Sequence, residues 1–400
     1  MPARAGARKL ILVKEIIIMK KLVNKKRLLA TFLELVKIDS ESFAEKDVAV
    51  KLEAEFKKLG AKVEFDDAHK KTGGPVGNLI ARFPGTVKKP PFLLSSHMDT
   101  VKPGKGIKPK HTNGKITSDG TTILGSDCKS GISAILEALK VVKENNLPCP
   151  PVEAVLTVSE EVGILGSRNL DYKKIKAREG MVLDGQTPHE LTVKAPSSIS
   201  LKVIIKGKGA HSGMNPEAGI SAIQTAAKGI AEMKLGRIDF ETTANIGIIQ
   251  GGRARNIVPE EVSLIGEARS HNSKKLLAQV KHMRQCLEKA VSGAVITVNE
   301  KKFKASMDFV ALEEYPAMNI PPEEGIVKFV LNAAKEEGLA IETVAGGGGS
   351  DANNFNKHGI KCPNLGCGMN KAHTLDEFLN IGHMEETVAV VLRTLANKAK

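Results

Sequence analysis

PFLLSSHMDTV, residues 91–101, opens as an apolar run and closes on a histidine and an aspartate two apart, His97 and Asp99. It reads as a buried strand whose polar end is the carboxyl end of a parallel sheet, where ligands usually sit. In strand geometry residues two apart face one side, so Asp99 is expected to accept a hydrogen bond from the His97 ring and set its tautomer for metal binding. A lone His-x-Asp is more often part of a surface loop, so the reading depends on its surroundings. Outward from it, apolar runs at 78–83, 152–158 and 180–183 read as further buried strands, and helical periods lie at 27–37, 45–59 and 130–144. The last carries Ile132, Ile135, Leu136, Leu139 and Val142 on one face. Such alternation marks an α/β layered domain.

The pattern changes after about residue 193. Strand (200–206), helix (218–233), strand (243–250), strand (261–269), helix (273–291) and strand (294–301) give the βαββαβ order of the ferredoxin-like split motif. Helices at about 323–337 and 383–398 then resume the first style. The expected organisation is one discontinuous α/β domain, 19–192 and 306–400, with an inserted α+β domain at 193–305. Residues 1–18 are expected to be an extension, since Met19-Lys20-Lys21 reads as a start. The apolar stretch at 10–19 is split by Lys14 and Glu15, lacks a small-residue cleavage site and falls short of a membrane span.

The 400 residues are 42% hydrophobic with 37 glycines and no tryptophan, the composition of a globular chain long enough for two cores. The net charge of +14 suggests a nucleic-acid partner until its distribution is read. Residues 1–27 hold nine Lys/Arg against Glu15 and supply +8 of it, leaving +6 for the rest. With two tyrosines there is little surface on which bases stack, so neither nucleic acid nor membrane is an expected partner. Five cysteines without a paired framework fit reduced thiols and a cytoplasmic location.

Further signals join His97. ILGSDCKSG (123–131) sets Asp127 in a glycine-flanked loop before a helix, where a carboxylate can bridge two cations or simply cap the helix. VEAVLTVSEEVG (152–163) ends a strand on Glu160 and Glu161, adjacent carboxylates that repel unless a cation or proton intervenes. MVLDG (181–185) ends another on Asp184, a turn former or a ligand, and MNKAHTLDEFL (369–379) offers His373. In the order His, Asp, Glu-Glu, Asp, His these residues make two metal sites sharing one bridge, with nitrogen and oxygen ligands suited to zinc, cobalt or manganese.

SSHMDTV, GSDCKSG, TVSEEVGILGS, LDG, KGKGAHSGMNPEAGISA, GGRARNIVPEEVSLIGEARS, GGGGSDANNF and MNKAHTLDEF run in this order from residue 95 to residue 378. Together they resemble the M20 metallopeptidases, within them the peptidase T-like branch. The resemblance implies a mixed-sheet catalytic domain of zinc-exopeptidase type with an inserted dimerisation domain. It implies two divalent metals bridged by Asp127, with His97 and Asp184 completing one site and Glu161 and His373 the other. Glu160 takes the general base's place. His211, in the inserted domain, reaches a partner's active site in a homodimer, and Asn256 and Arg269 match positions that hold a substrate carboxylate.

Two cations about 3.5–4 Å apart lower the pKa of a shared water towards neutrality, so a metal-bridging hydroxide is the expected nucleophile. Glu160 would carry its proton to the leaving amine, and His211 would steady the oxyanion. Gly346–Gly349 with Ser350 would let backbone amides approach the substrate, Gly349 among them; the run lacks the lysine and spacing of a phosphate loop. Read from the residues alone, His211 is a turn histidine, Asn256 a turn residue before Pro259, and Arg253, Arg255 and Arg269 surface charges. The expected substrate is a small peptide or an N-acyl amino acid. An aminoacylase, deacetylase or carboxypeptidase would carry the same metal motifs, and a non-catalytic metal-binding protein would not need Glu160.

Overall fold

The computed structural model describes residues 18–400. The expected extension at 1–18 lies outside them apart from Ile18. Two sheets, each with its own apolar core, organise the chain.

The larger sheet has nine strands and is mixed. At its centre Val152–Thr157, Phe92–His97, Gly180–Gly185 and Asn364–Gly366 run parallel in that spatial order. Leu79–Phe83 and then Lys62–Phe65 extend one side antiparallel. On the other side Glu190–Ala195 pairs with Asn364–Gly366, Met318–Asn319 and Glu342–Ala345. All residues of Phe92–His97 and Val152–Thr157 are buried, as a sheet covered on both faces requires, the polar Ser95, Ser96, His97, Glu153 and Thr157 with the apolar ones.

The helix Ser126–Asn145 packs on Phe92–His97 and Gly180–Gly185, and against helices Lys25–Val36 and Ile381–Ala399. Lys25–Val36 begins at Asn24, whose side chain accepts from Arg27 N, and buries Leu28, Phe32, Leu35 and Val36, one face at helical spacing. Gly131 lets Ser126–Asn145 lie directly on the sheet: a Cβ there would stand 2.1 Å from the Leu183 carbonyl oxygen.

The smaller sheet is antiparallel, with Ser306–Tyr315, Ser197–Lys206, Glu261–Ser270 and Thr242–Gly251 in that spatial order and the two-residue strand Gly236–Arg237 at one edge. Helices Ala222–Glu232 and Ser273–Gly293 pack on it over Leu201, Val203, Leu264 and Met283. The βαββαβ order is as expected, but its last strand is not the one expected at 294–301. Val295–Val298 instead folds back on Lys301–Lys304. The cause is the pair Asn299 and Glu300, both at positive φ, which closes a two-residue hairpin. The strand that completes the sheet is Ser306–Tyr315, so the inserted unit runs on past the expected end at 305.

The chain leaves the large sheet at Pro196 and returns at Pro316. The Asn353 side-chain amide donates to both carbonyls, at 3.1 and 2.8 Å, fastening the two crossings to each other.

Candidate metal centre

Every residue expected at the metals except His373 lies where a strand or helix begins or ends. His97 closes Phe92–His97, Glu160 and Glu161 follow Val152–Thr157, Asp184 ends Gly180–Gly185 and Asp127 opens Ser126–Asn145. Three neighbouring parallel strands therefore deliver their groups to one edge of the sheet. His373 arrives from a turn between Met369–Asn370 and Phe378–Asn380, strands of a separate four-stranded sheet.

Asp127 is the hub. Its Oδ1 lies 2.9 Å from His97 Nε2, which is itself 3.5 Å from Asp184 Oδ1. Its Oδ2 lies 3.2 Å from His373 Nε2, which is 2.9 Å from Glu161 Oε2. Two donor groups thus share one carboxylate, one oxygen to each side. The donor set of imidazole nitrogens and carboxylate oxygens suits divalent cations of borderline softness. Glu161 Oε1 is buried with no hydrogen-bond partner, an acceptor without a donor beside the cluster. Cys128 stands next to the first group, but its thiol donates to the Leu183 carbonyl at 2.8 Å and burial pushes its pKa well up, so it stays protonated.

The electrostatics of this crowd are mutual. Burial works against the Asp127 carboxylate, but hydrogen bonds from His373 and His97 outweigh it and hold its pKa below the ordinary range. Hydrogen bonds to Asp127 and Glu161 raise His373 to about 10. Burial raises Asp184 to about 7, against the opposing pull of His97. Burial, and after it the charge of Asp184, pushes the Glu160 carboxyl well up.

Asp99 does something other than expected. The strand stops at His97, so the two residues do not share a strand face, and the returning Asp99 carbonyl comes nearest to His97 Nδ1, at 3.0 Å. The carboxylate lies 3.4 Å from that nitrogen and accepts instead from Ser42 Oγ (2.7 Å), Glu160 N (3.0 Å) and Glu161 N (3.2 Å). With Nδ1–H directed at the carbonyl, Nε2 is left to face Asp127. Asp99 thus positions the Glu160–Glu161 pair as well as the ring.

Two contributors escaped the sequence reading. Glu377 accepts from Leu124 N (2.7 Å), Gly125 N (3.0 Å), Ser126 Oγ (2.6 Å) and Asp127 N (3.1 Å), cradling the loop that presents the hub. Glu377→Ala is expected to weaken metal binding by about 10–100-fold, the usual effect of removing a group that orients a ligand. Competition against a chromogenic chelator measures it. Lys129 is 1% exposed and donates to the Met98 carbonyl and Ser40 Oγ, bracing the turn after His97; burial lowers its pKa to about 8.

A cleft of about 680 Å³ opens on the cluster, lined by Asp127, Asp184, His373, Gly348, Gly349 and Ser350 among others. Gly349 also has a packing reason to be glycine, since a Cβ would lie 2.2 Å from the Tyr315 ring. Arg269 is not in this cleft. It lines a neighbouring cavity of about 390 Å³ with Gly346 and Gly347, and Glu267 holds its guanidinium at 2.9 Å. His211 and Asn256 also lie apart from the cleft, in two exposed turns of the smaller unit joined by a bond from Ser212 N to the Asn256 carbonyl. Arg253 pairs with Glu260.

Comparison with known proteins identifies the family. The sequence model of peptidase family M20/M25/M40 matches residues 93–397. The uncharacterized protein YqjE of Bacillus subtilis is 41% identical over 95% of this chain and 100% of its own length. Among solved structures, aminopeptidase PepT from Bacillus cereus is 39% identical with a TM-score of 0.83, over 95% of this chain and 100% of that one. A tripeptidase from Staphylococcus aureus is 39% identical with a TM-score of 0.87, over 94% and 99%. By its sequence match and by its structural likeness to these two peptidases, the chain belongs to peptidase family M20/M25/M40, in the peptidase T-like branch.

Proposed function

We propose that the chain is an aminopeptidase of short peptides that works with two divalent cations, zinc before cobalt or manganese, as a homodimer in the cytoplasm. The observation that carries this is the convergence of His97, Asp184, Glu161 and His373 on the two oxygens of Asp127. His97, Asp127 and Asp184 would hold one cation, and Asp127, Glu161 and His373 the other. Bound there, the pair would acidify a water and polarise the scissile carbonyl. Glu160, buried and outside both donor groups, takes the proton from the attacking water and returns it to the leaving amine.

His211 supplies a further hydrogen bond to the oxyanion. Its Nδ1 accepts from Gly213 N and Met214 N, each at 3.2 Å, so the ring proton sits on Nε2, ready to donate. Support for a dimer comes from the smaller sheet, whose helix-free face leaves Ile248, Ile265, Val310 and Leu312 about half exposed. Arg269, from the neighbouring cavity, and Asn256, which would arrive with the His211 turn it is bonded to, would bind the substrate carboxylate, with Gly349 at the cleft wall. Five free cysteines suit a reducing compartment, and among the described residues no helix is long and apolar enough to cross a membrane.

An aminoacylase, deacetylase or carboxypeptidase would share the metal centre. The peptidase reading is preferred because both solved relatives at 39% identity are named for peptide substrates. Chelation is expected to abolish hydrolysis of tripeptides and added Zn²⁺, Co²⁺ or Mn²⁺ to restore it, assayed on a panel of di-, tri- and N-acyl peptides. Full activity after complete metal removal would overturn the reading, and preference for N-acyl amino acids would replace peptidase by aminoacylase.

Metal uptake should also depend on pH. Near pH 6, Asp184 (about 7) and His373 (about 10) both hold protons that an arriving cation must displace. Affinity is therefore expected to rise as pH increases through 7 and to fall below it. Calorimetric titration in two buffers of different ionisation enthalpy reports the protons released; no release would mean that these two groups hold no proton for the cation to displace.

A further inference from the structure

A second group of metal-type donors lies outside the catalytic cluster. His383 and Glu386, three apart at the start of helix Ile381–Ala399, face His189, which precedes strand Glu190–Ala195. One ligand atom from each of the three lies within 4.8 Å of the other two. We propose that His189, His383 and Glu386 form a third metal-binding site, for a divalent transition-metal cation of the zinc type, separate from the centre at Asp127.

The local hydrogen bonds argue for a cation. His189 Nδ1 lies 3.3 Å from the Ala340 carbonyl and can only donate to it, so in the neutral ring Nε2 is the acceptor. That nitrogen is 3.4 Å from Glu386 Oε2, a buried oxygen with no hydrogen bond. Two acceptors so placed repel unless something positive lies between them. A separation of about 3.3–3.4 Å is what two donors at zinc bond lengths of about 2.0–2.1 Å span across a tetrahedral angle. His383 adds a second unmet demand, because its Nδ1 is buried without a partner. The rings of His189 and His383 stand edge to face, 5.4 Å apart, and so do not stack on each other.

The supporting contacts are those a ligand set uses. A metal-bound imidazole commonly donates its other N–H to a backbone carbonyl, as His189 does to Ala340, and a ligating carboxylate is held by its second oxygen. Lys20 Nζ holds Glu386 Oε1 at 2.8 Å and leaves Oε2 clear. Two imidazoles with one carboxylate select zinc, cobalt, nickel or copper over magnesium and calcium. With His189 at 44% side-chain exposure, the remaining coordination positions open to water, so the ion would exchange with solvent. It would fasten the turn before Glu190–Ala195 to the C-terminal helix, and heating in Zn²⁺ should show that as a raised Tm.

The test is zinc content per chain after equilibrium dialysis of the whole protein against Zn²⁺, with Mg²⁺ as the control ion. His383→Ala and His189→Asn are each expected to hold one zinc fewer than the wild type, to lose the zinc-dependent part of the Tm rise, and to keep peptide hydrolysis unchanged. Because the readout is a difference, it stands whatever number of ions the catalytic cluster holds. Should His383→Ala fail to fold, the half-exposed His189→Asn still decides. Equal zinc in the wild type and the folded variants overturns the site, and would mean that a shared proton satisfies the facing acceptors.

Discussion

Glu160→Gln is expected to keep its full complement of bound cations and to lose turnover by about a hundredfold or more, the loss typical of removing a positioned proton carrier. The two adjacent glutamates leave the same strand end, and their backbone N–H groups are both held by the Asp99 carboxylate. Their side chains then part. Glu161 Oε2 reaches His373 at 2.9 Å, within the second donor group, whereas Glu160 joins neither group among the described residues. A glutamine at 160 keeps shape and volume and removes only the ability to accept and return a proton. The same substitution at Glu161 removes a negative charge from a cation's surroundings, so Glu161→Gln should weaken metal binding first and turnover as a consequence. Elemental analysis of each variant beside its kcat separates the two effects. Loss of metal in Glu160→Gln with metal retained in Glu161→Gln would exchange the two roles.

What could be read from the sequence followed from where periodic runs stop. His97, Glu160, Glu161 and Asp184 each end an apolar strand, and Asp127 sits at the turn into a helix with a clean apolar face, so their convergence on one sheet edge follows from parallel pairing. Glu377 was hidden because it makes its contacts 250 residues back along the chain and looks, four residues after His373, like one more acid in a polar loop. Lys129 was hidden for the opposite reason: a lysine one turn into a helix reads as solvated, and only the assembled turn at Met98 shows two acceptors waiting for it. The strand misplaced at 294–301 has β-type composition and does form a strand, in a hairpin. Which strand completes the sheet is a question of pairing partners, and a pattern of period two is silent on it. The Asp99 carboxylate departed from expectation because the strand's alternation ended two residues too early for the rule to apply.

His211→Ala is expected to retain both catalytic cations and the dimer while losing about 10²–10³ in turnover, the usual effect of deleting one oxyanion donor. The residue lies on the smaller unit, outside the cleft that opens on Asp127, and is exposed within its own chain. Its ring is nevertheless prepared for donation, with Nδ1 occupied by two backbone N–H groups and the proton left on Nε2. A donor so arranged, on a unit with an exposed apolar sheet face, is explained if a twofold partner brings it over the cleft, each subunit lending one imidazole to the other. Mixing subunits tests that directly. One chain carries His211→Ala and the other Glu160→Gln, each nearly inactive as a homodimer. If the histidine acts across the interface, one active site of the mixed dimer combines both lesions and the other has neither, so activity returns in the intact site. If His211 serves its own subunit, every site carries one lesion and activity stays at background. A monomer with full activity in sedimentation would overturn the exchange of histidines and leave the chemistry at Asp127 standing.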